Sequence, residues 1–128
     1  GSFLKKNRIK NIKLPVSAPF HCSLMSKATD VMREELGKLS FKKGKNSLVS
    51  NITANEIFNA NELKDLLVKQ IENRVRWRES VINMIEKGVN QFIEIGPGKV
   101  LSGLVKRINK DVEVISINNE DDIKSLKI

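Results

Sequence analysis

The stretch "QFIEIGPGKVLSGLVKRI", residues 91–108, and the "VEVISI" that follows at 112–117 decide the fold class of this 128-residue chain. The opening "QFIEI" is rich in aromatic and β-branched residues and predicts a strand, and "GPG" predicts a tight turn. "KVLSGLVKRI" predicts a helix, and "VEVISI" predicts a second strand. Strand, helix and strand in this order indicate a right-handed βαβ unit with parallel strands, so we expect an α/β fold. The apolar side of the helix would carry Val100, Leu101, Leu104, Val105 and Ile108.

Upstream of this unit the chain is mostly helical in pattern. Apolar residues at helical spacing predict an amphipathic helix from about Ser23 to Leu39. Asn61 is a good N-cap for a further helix that runs to about Ile71. The helix after it would turn Trp77, Val81, Met84 and Ile85 inward and end at Gly88. Short helices are predicted for Phe3–Lys10 and Asp121–Leu126.

The predicted sheet is incomplete. Parallel sheets need several strands and helices on both faces, yet only Ser47–Ile52 offers a further strand, after a turn at Lys42–Asn46 around Gly44. The segment Ile12–Pro19, with two prolines, is expected to be extended. We therefore expect either a very small sheet or the edge of a larger one.

Composition limits the functional classes. The net charge is +8, with 23 Lys and Arg against 15 Asp and Glu, which favours an anionic partner; a solvated basic surface is the alternative. A single cysteine excludes an intramolecular disulfide and a cysteine-only zinc site, and we expect no metal. No apolar run reaches the roughly 20 residues of a membrane span. With no apolar leader core, the expected location is the cytoplasm, away from membranes.

The segment "PVSAPFHCSLM", residues 15–25, holds the only histidine of the chain, His21. Pro15 and Pro19 would stiffen its approach, it falls at a junction between an extended segment and a helix, and Phe20 could exclude water. An imidazole can exchange protons near neutral pH. A general base also needs a nucleophile and an acceptor for its second ring nitrogen, and the residues alone identify neither. A structural histidine is the alternative.

Three further patterns favour structural roles. Cys22 is adjacent to His21, and consecutive side chains point in different directions, so a Cys–His dyad is disfavoured. The glycines of "IGPGKVLSGL", residues 95–104, match neither GxxxxGK[ST] nor GxGxxG, which leaves a tight turn before a helix as the preferred interpretation. In "RVRWR", residues 74–78, one aromatic is weak support for nucleic-acid stacking, and a buried Trp77 with outward arginines is preferred.

Four blocks taken together resemble one family, the malonyl-CoA–acyl carrier protein transacylases of type II fatty-acid synthesis. The resemblance covers nearly the whole chain from about Ile12, and the blocks occur in family order. They are "LPVSAPFHCSLM" (14–25), "VSNITA" (49–54), "LLVKQIENRVRW" (66–77) and "EIGPGKVLSGLVKRI" (94–108).

The resemblance implies roles for two residues. His21 matches the general base of a serine nucleophile, and Gln70 matches a glutamine whose backbone carbonyl accepts from the other nitrogen of that histidine. Such a carbonyl would fix the tautomer, as the carboxylate does in a Ser-His-Asp triad. One departure is local: Arg74 stands where the family usually has proline, in the turn after Gln70.

The larger departure is an absence. The "GHSLGE"-type serine elbow, the arginine that pairs with the malonyl carboxylate and the N-terminal glutamine loop have no counterpart in these 128 residues. The resemblance thus implies the C-terminal portion of an acyltransferase. Residues 1–14 would be the tail of a small ferredoxin-like insert, and residues 15–128 the last part of a large α/β-hydrolase-like domain with parallel strands and flanking helices.

The implied activity is malonyl transfer from coenzyme A to the phosphopantetheine thiol of acyl carrier protein, with both as substrates and no further cofactor. Without the serine, the isolated chain should have little activity. Implied partners are the carrier protein, a coenzyme A thioester and an N-terminal part of the same enzyme; nucleic acid is not expected. A non-enzymatic basic binding module is the alternative. We also expect self-association, because Leu24, Val31, Leu104 and Ile108 would be uncovered.

Overall fold

The computed structural model describes residues 2–11, 16–42 and 44–126, and within them the chain forms helices and short strands. The helices are α1 (Ser2–Lys6), α2 (Ser26–Gly37), α3 (Ala60–Lys69), α4 (Trp77–Glu86), α5 (Val100–Ile108) and α6 (Glu120–Ser125). The strands are β1 (Leu48–Val49), β2 (Glu56–Ile57), β3 (Gln91–Ile95) and β4 (Glu113–Ile117). Residues 12–15 and 43 lie outside the described residues. The predicted domain boundary at 14/15, part of the predicted extended segment and part of the predicted turn at 42–46 fall there.

The C-terminal third forms the predicted βαβ unit. β3 and β4 pair in parallel, with Gln91 opposite Glu113 and Ile95 opposite Ile117. Helix α5 connects them and packs on both strands. The α/β prediction is confirmed for this part of the chain.

The core lies between α4, α5 and this strand pair. Val81 of α4, Val105 of α5 and Val112 just before β4 form a buried cluster. Half-buried apolar side chains surround it: Trp77, Met84, Ile85, Phe92, Ile108 and Val114. Burial of such side chains is the main favourable term in folding. The prediction that one face of α4 turns inward is confirmed, and Trp77 belongs to the core.

The second strand pair is shorter than predicted. β1 and β2 pair antiparallel over two residues each, with Leu48 opposite Ile57. The expected strand 47–52 ends early because a turn begins at Ser50. The Ser50 amide donates to the Asn55 carbonyl at 3.0 Å, and the Ala54 amide donates to the Ser50 carbonyl at 2.9 Å. Residues 50–55 therefore form a compact turn, which is the loop between β1 and β2.

Helix boundaries shift slightly from those predicted. The N-cap of α3 is Asn59, whose side chain accepts from the Asn61 amide at 2.8 Å; the assignment of Asn61 as the cap is therefore wrong by two residues. Asn59 has the extended backbone that a cap requires, whereas Asn61 is already helical. Helix α2 is preceded by a 3₁₀ turn at Ser23–Met25. Gly88 has φ +94° just after α4, as its predicted role at the helix end requires.

Several apolar side chains remain open to solvent. Leu24 and Val31 are 76% and 63% exposed, as expected, but Leu104 and Ile108 are half-buried because α5 packs on α4 and the strands. The face of β3 opposite α5 carries Ile95, which is 79% exposed. No helix in the described residues is long and apolar enough to cross a lipid bilayer.

Candidate functional site

His21 lies in the bend that precedes the 3₁₀ turn at Ser23–Met25, and its backbone is unusual. Its φ is +62°, in the left-handed region that non-glycine residues seldom adopt. Such a conformation persists only where surrounding contacts hold it. For His21 those contacts come from the end of helix α3.

The C-terminus of α3 supplies two acceptors. The last carbonyls of a helix have no intrahelical partner. One of them, the Gln70 carbonyl oxygen, lies 2.9 Å from Nδ1 of His21. The Ile71 carbonyl, one residue on, accepts from the His21 backbone amide at 3.2 Å. Because a carbonyl only accepts, Nδ1 must carry the proton, which leaves Nε2 of the neutral ring as an acceptor.

The structure thus brings together the two residues that the sequence nominates. His21 and Gln70 are 49 positions apart in the chain, yet their contact is within hydrogen-bond distance. His21 is exposed and Gln70 is half-buried. Within the described residues Nε2 has no hydrogen-bond partner, so the ring is held at Nδ1 and open at Nε2.

The Gln70 side chain makes a separate contact with the loop between β1 and β2. Nδ2 of Asn51 donates to Oε1 of Gln70 at 3.0 Å. The Asn51 carbonyl accepts from the Arg76 amide at 2.9 Å. Asn51 lies in the quoted "VSNITA" block, but nothing in the sequence pattern links it to Gln70, 19 positions away. The link becomes visible only when the loop is placed against the end of α3.

The turn after Gln70 forms without the proline that the family pattern places at position 74. The Arg74 side chain is 81% exposed, with Nη2 3.4 Å from Oε1 of Glu79. The end of the turn is fixed instead by the bond between the Arg76 amide and Asn51.

Cys22 does not form a dyad with His21, and Phe20 does not cover the imidazole. Sγ of Cys22 donates to the Pro19 carbonyl at 3.1 Å rather than to the imidazole. Phe20 is 56% exposed, so the expectation that it shields the ring from water is wrong for this chain.

The glycine turn before α5 is structural. Gly96 and Gly98 have φ +140° and +96°, which the turn requires of glycine. The Gly98 amide donates to Oδ1 of Asn118 at 2.7 Å. The carboxylate of Glu94 accepts from the amides of Leu101 and Ser102 at 3.0 and 2.8 Å. An anion bound at this helix N-terminus would meet a carboxylate already in place, which supports the interpretation as a tight turn.

Glu94 is a structural residue that the sequence pattern does not single out. Its bonds to the Ser102 side chain and to the Ser102 and Leu101 amides hold the pKa of its carboxyl below the ordinary value. The available signal was its place in "QFIEI", two residues after Phe92 and therefore on the same face of the strand. The N-cap residue of α5, Lys99, makes no capping bond with its side chain. An acidic residue on the inward face of the strand just before that helix is therefore a candidate to cap it.

Comparison with known proteins gives a consistent answer. No family model matches the chain. The malonyl CoA-acyl carrier protein transacylase of Bacillus subtilis is 39% identical over 121 residues, which are 94% of this chain and 38% of that protein. The chain therefore spans well under half the length of this relative.

Solved structures agree with the sequence comparison. A malonyl CoA-acyl carrier protein transacylase from Clostridium perfringens superposes with a TM-score of 0.86 at 40% identity, covering 97% of this chain and 39% of that one. A malonyl-transacylase solved in complex with a type II PKS acyl-carrier protein gives a TM-score of 0.81 at 37% identity, covering 88% and 36%.

Proposed function

Because this chain is homologous to a part of the malonyl CoA-acyl carrier protein transacylases, we propose that it serves malonyl transfer from coenzyme A to the phosphopantetheine thiol of an acyl carrier protein in fatty-acid synthesis. It would be the C-terminal portion of that enzyme, and a segment outside these 128 residues would supply the nucleophilic serine. The 128 residues themselves contain no GxSxG elbow.

His21 is the general base of the proposed reaction. Nε2 takes the proton of the serine hydroxyl as the serine oxygen attacks the thioester carbonyl. The imidazolium then returns that proton to the departing coenzyme A sulfur, which leaves as the thiol, and a malonyl-serine ester remains. In the second half, the carrier thiol loses its proton to Nε2 and attacks the ester, and the serine oxygen recovers the proton as it leaves.

The observation that carries this proposal is the 2.9 Å contact between Nδ1 of His21 and the Gln70 carbonyl. A base must present an unprotonated nitrogen to its nucleophile, and the neutral ring has only one. With Nδ1 committed to Gln70 as a donor, Nε2 is the nitrogen that accepts. Gln70 acts through its backbone and would leave the choice of acyl group to other parts of the enzyme.

Charge supports an anionic partner. The net charge is +8, and both coenzyme A and a phosphopantetheine-bearing carrier carry phosphate. Opposite charges increase the rate of association more than the final affinity. The solved complex of a related malonyl-transacylase with an acyl-carrier protein supports the same class of partner.

A chimeric enzyme tests the proposed role of His21. The chain would replace the matching segment of the Bacillus subtilis transacylase, and transfer of malonyl from coenzyme A to carrier protein would be measured. His21→Ala should lower the rate by about 10²–10⁴-fold, the usual contribution of a general base. Ser40→Ala, at an exposed uncharged position just after α2, is the control and should leave the rate unchanged. A folded chimera that transfers malonyl equally well with Ala at position 21 would contradict the proposal.

The isolated chain gives a second measurement. Incubated with malonyl-CoA, it should gain no malonyl mass, because the serine of the proposed mechanism is not among its residues. Intact-mass spectrometry detects the adduct, and a covalent malonyl group on any serine or on Cys22 would show that the chain carries its own nucleophile.

A further inference from the structure

We propose that Asn51 is a positioning residue for His21 and acts through Gln70. The inference rests on the proposed function, in which the direction of the Gln70 carbonyl fixes the tautomer of the base. Asn51 itself does not contact the imidazole; its contacts are with the segment that does.

Asn51 holds the turn 70–76 at both ends. Its side chain donates to Oε1 of Gln70 at 3.0 Å, and its backbone carbonyl accepts from the Arg76 amide at 2.9 Å. The two carbonyls that hold His21, those of Gln70 and Ile71, are the first two of this turn. One residue in the β1–β2 loop therefore fixes the segment that orients the base.

Helix α3 restrains the Gln70 peptide from one side, and Asn51 restrains it from the other. The Gln70 amide still bonds to the Leu66 carbonyl at 3.0 Å, which holds the nitrogen side of the residue. The Gln70 carbonyl shares its peptide plane with the Ile71 amide, which donates to the Val68 carbonyl of α3 at 3.2 Å. Proline is absent from this turn, since position 74 is Arg, so no ring presets the backbone there. The bond that Asn51 donates to Gln70 and the bond that it accepts from Arg76 tie this turn to the β1–β2 loop.

The chemistry of an amide pair makes the proposal testable. Each amide can turn over and present either a donor or an acceptor. Asn51→Asp leaves a hydrogen bond if Gln70 turns and donates, and Gln70→Glu leaves one if Asn51 donates. Only the double variant Asn51→Asp/Gln70→Glu faces two acceptors that repel each other. A loss confined to the double variant is therefore diagnostic of this contact.

The readout is the tautomer of the imidazole, measured on the complete chain. His21 is the only histidine, so long-range ¹H–¹⁵N correlation spectra of uniformly labelled protein report it without overlap. At a pH where the ring is neutral, the wild type should be mainly the Nδ1–H tautomer. Each single variant should keep that ratio of tautomers. In the double variant the ratio of Nδ1–H to Nε2–H should fall about fivefold, the effect of losing one hydrogen bond.

A second amide pair provides the matched control. Nδ2 of Asn83 donates to Oδ1 of Asn55 at 2.9 Å, and neither residue bonds to His21. The double variant Asn55→Asp/Asn83→Asp puts two carboxylates together in the same way and should leave the tautomer ratio at its wild-type value. Fluorescence of Trp77, the only tryptophan, checks that each variant is folded.

The possible outcomes separate the two proposals. If the double variant at 51 and 70 is folded and keeps the wild-type ratio, the role of Asn51 is refuted. If Gln70→Glu alone shifts the ratio as far as the double variant does, the effect belongs to Gln70 and the role of Asn51 is likewise refuted. If the double variant does not fold, Asn51→Ala, which removes the donor without adding charge, decides by the same ratio. If the wild type itself lacks the Nδ1–H tautomer, the His21–Gln70 contact fails and the proposed function loses its support.

Discussion

At the scale of the residue, the backbone of His21 combines an unfavourable conformation with two hydrogen bonds. A left-handed φ costs a residue with a Cβ roughly 1–2 kcal/mol, and His21 has φ +62°. Its ring nitrogen and its amide both bond to carbonyls at the end of α3. These bonds offset the cost, and the conformation directs the ring and the amide toward the same helix end.

This strain predicts an inverted order of two substitutions. Both His21→Gly and His21→Ala remove the ring, but only alanine keeps a Cβ in the left-handed region. His21→Gly should therefore be more stable than His21→Ala by about 1 kcal/mol in urea unfolding. At Glu34, in the middle of α2, the order should be the usual one, with alanine more stable than glycine. Equal stability of the two variants at position 21 would mean that the backbone is not held left-handed.

At the scale of the element, helix α5 depends on a carboxylate from the preceding strand. Glu94 accepts from the amides of Leu101 and Ser102. The Ser102 side chain, followed by these amides, lowers the pKa of the Glu94 carboxyl from the ordinary 4.5. A carboxyl whose pKa is lowered in the folded state stabilises the fold at pH values above its pKa in the unfolded state. That contribution is lost as the pH falls through the lower folded value.

Removing the charge of Glu94 should therefore make the free energy of unfolding less dependent on pH in acid. In Glu94→Gln the side chain still accepts a hydrogen bond, but it does not titrate. It therefore gains no proton as the pH falls below 4.5, the ordinary pKa of a glutamate carboxyl. The free energy of unfolding, measured by urea titration at a series of pH values, should fall less steeply below that pH than in the wild type. Glu86→Gln, at an exposed position near the end of α4, is the control. A Glu94→Gln slope identical to that of the wild type would show that the cap does not contribute.

The elements differ in how far the sequence predicts them. The βαβ unit and the inward face of α4 follow from apolar spacing, because each buries its own periodic face. The N-cap of α3 was placed two residues late, because Asn59 and Asn61 carry the same side chain and only backbone conformation distinguishes them. The residues alone single out His21, and the resemblance supplies its role and its partner Gln70. Asn51 lies in a loop and Glu94 near the end of a strand. Neither place has a periodic sequence pattern from which the contact could be predicted.

At the scale of the whole molecule, the accessible surface is larger than that of a typical compact monomer. It measures 10369 Å² for 14.5 kDa, whereas a compact monomer of this mass exposes about 6,900 Å². β3 and β4 pair only with each other among the described residues. Unpaired edges and open apolar faces favour association.

The chain alone should therefore self-associate. Light scattering across a concentration series should show a mass that rises above 14.5 kDa as concentration increases. Val31→Lys/Ile95→Lys, which charges two exposed apolar positions, should shift association to higher concentration. Lys27→Glu, a charge change at an exposed polar position, is the control. A cooperatively folded monomer at every concentration would contradict the expectation and show that these residues close a core of their own.

The oxygen that orients His21 belongs to the main chain, and every amino acid has that oxygen. A substitution at position 70 changes the side chain but keeps the backbone carbonyl that accepts from His21. The constraint on the side chain at position 70 comes instead from its surroundings, which include its contact with Asn51. Among diverged copies of this gene, we expect compensating pairs at positions 51 and 70, with an acid at one position tolerated beside an amide at the other, and acids at both positions absent.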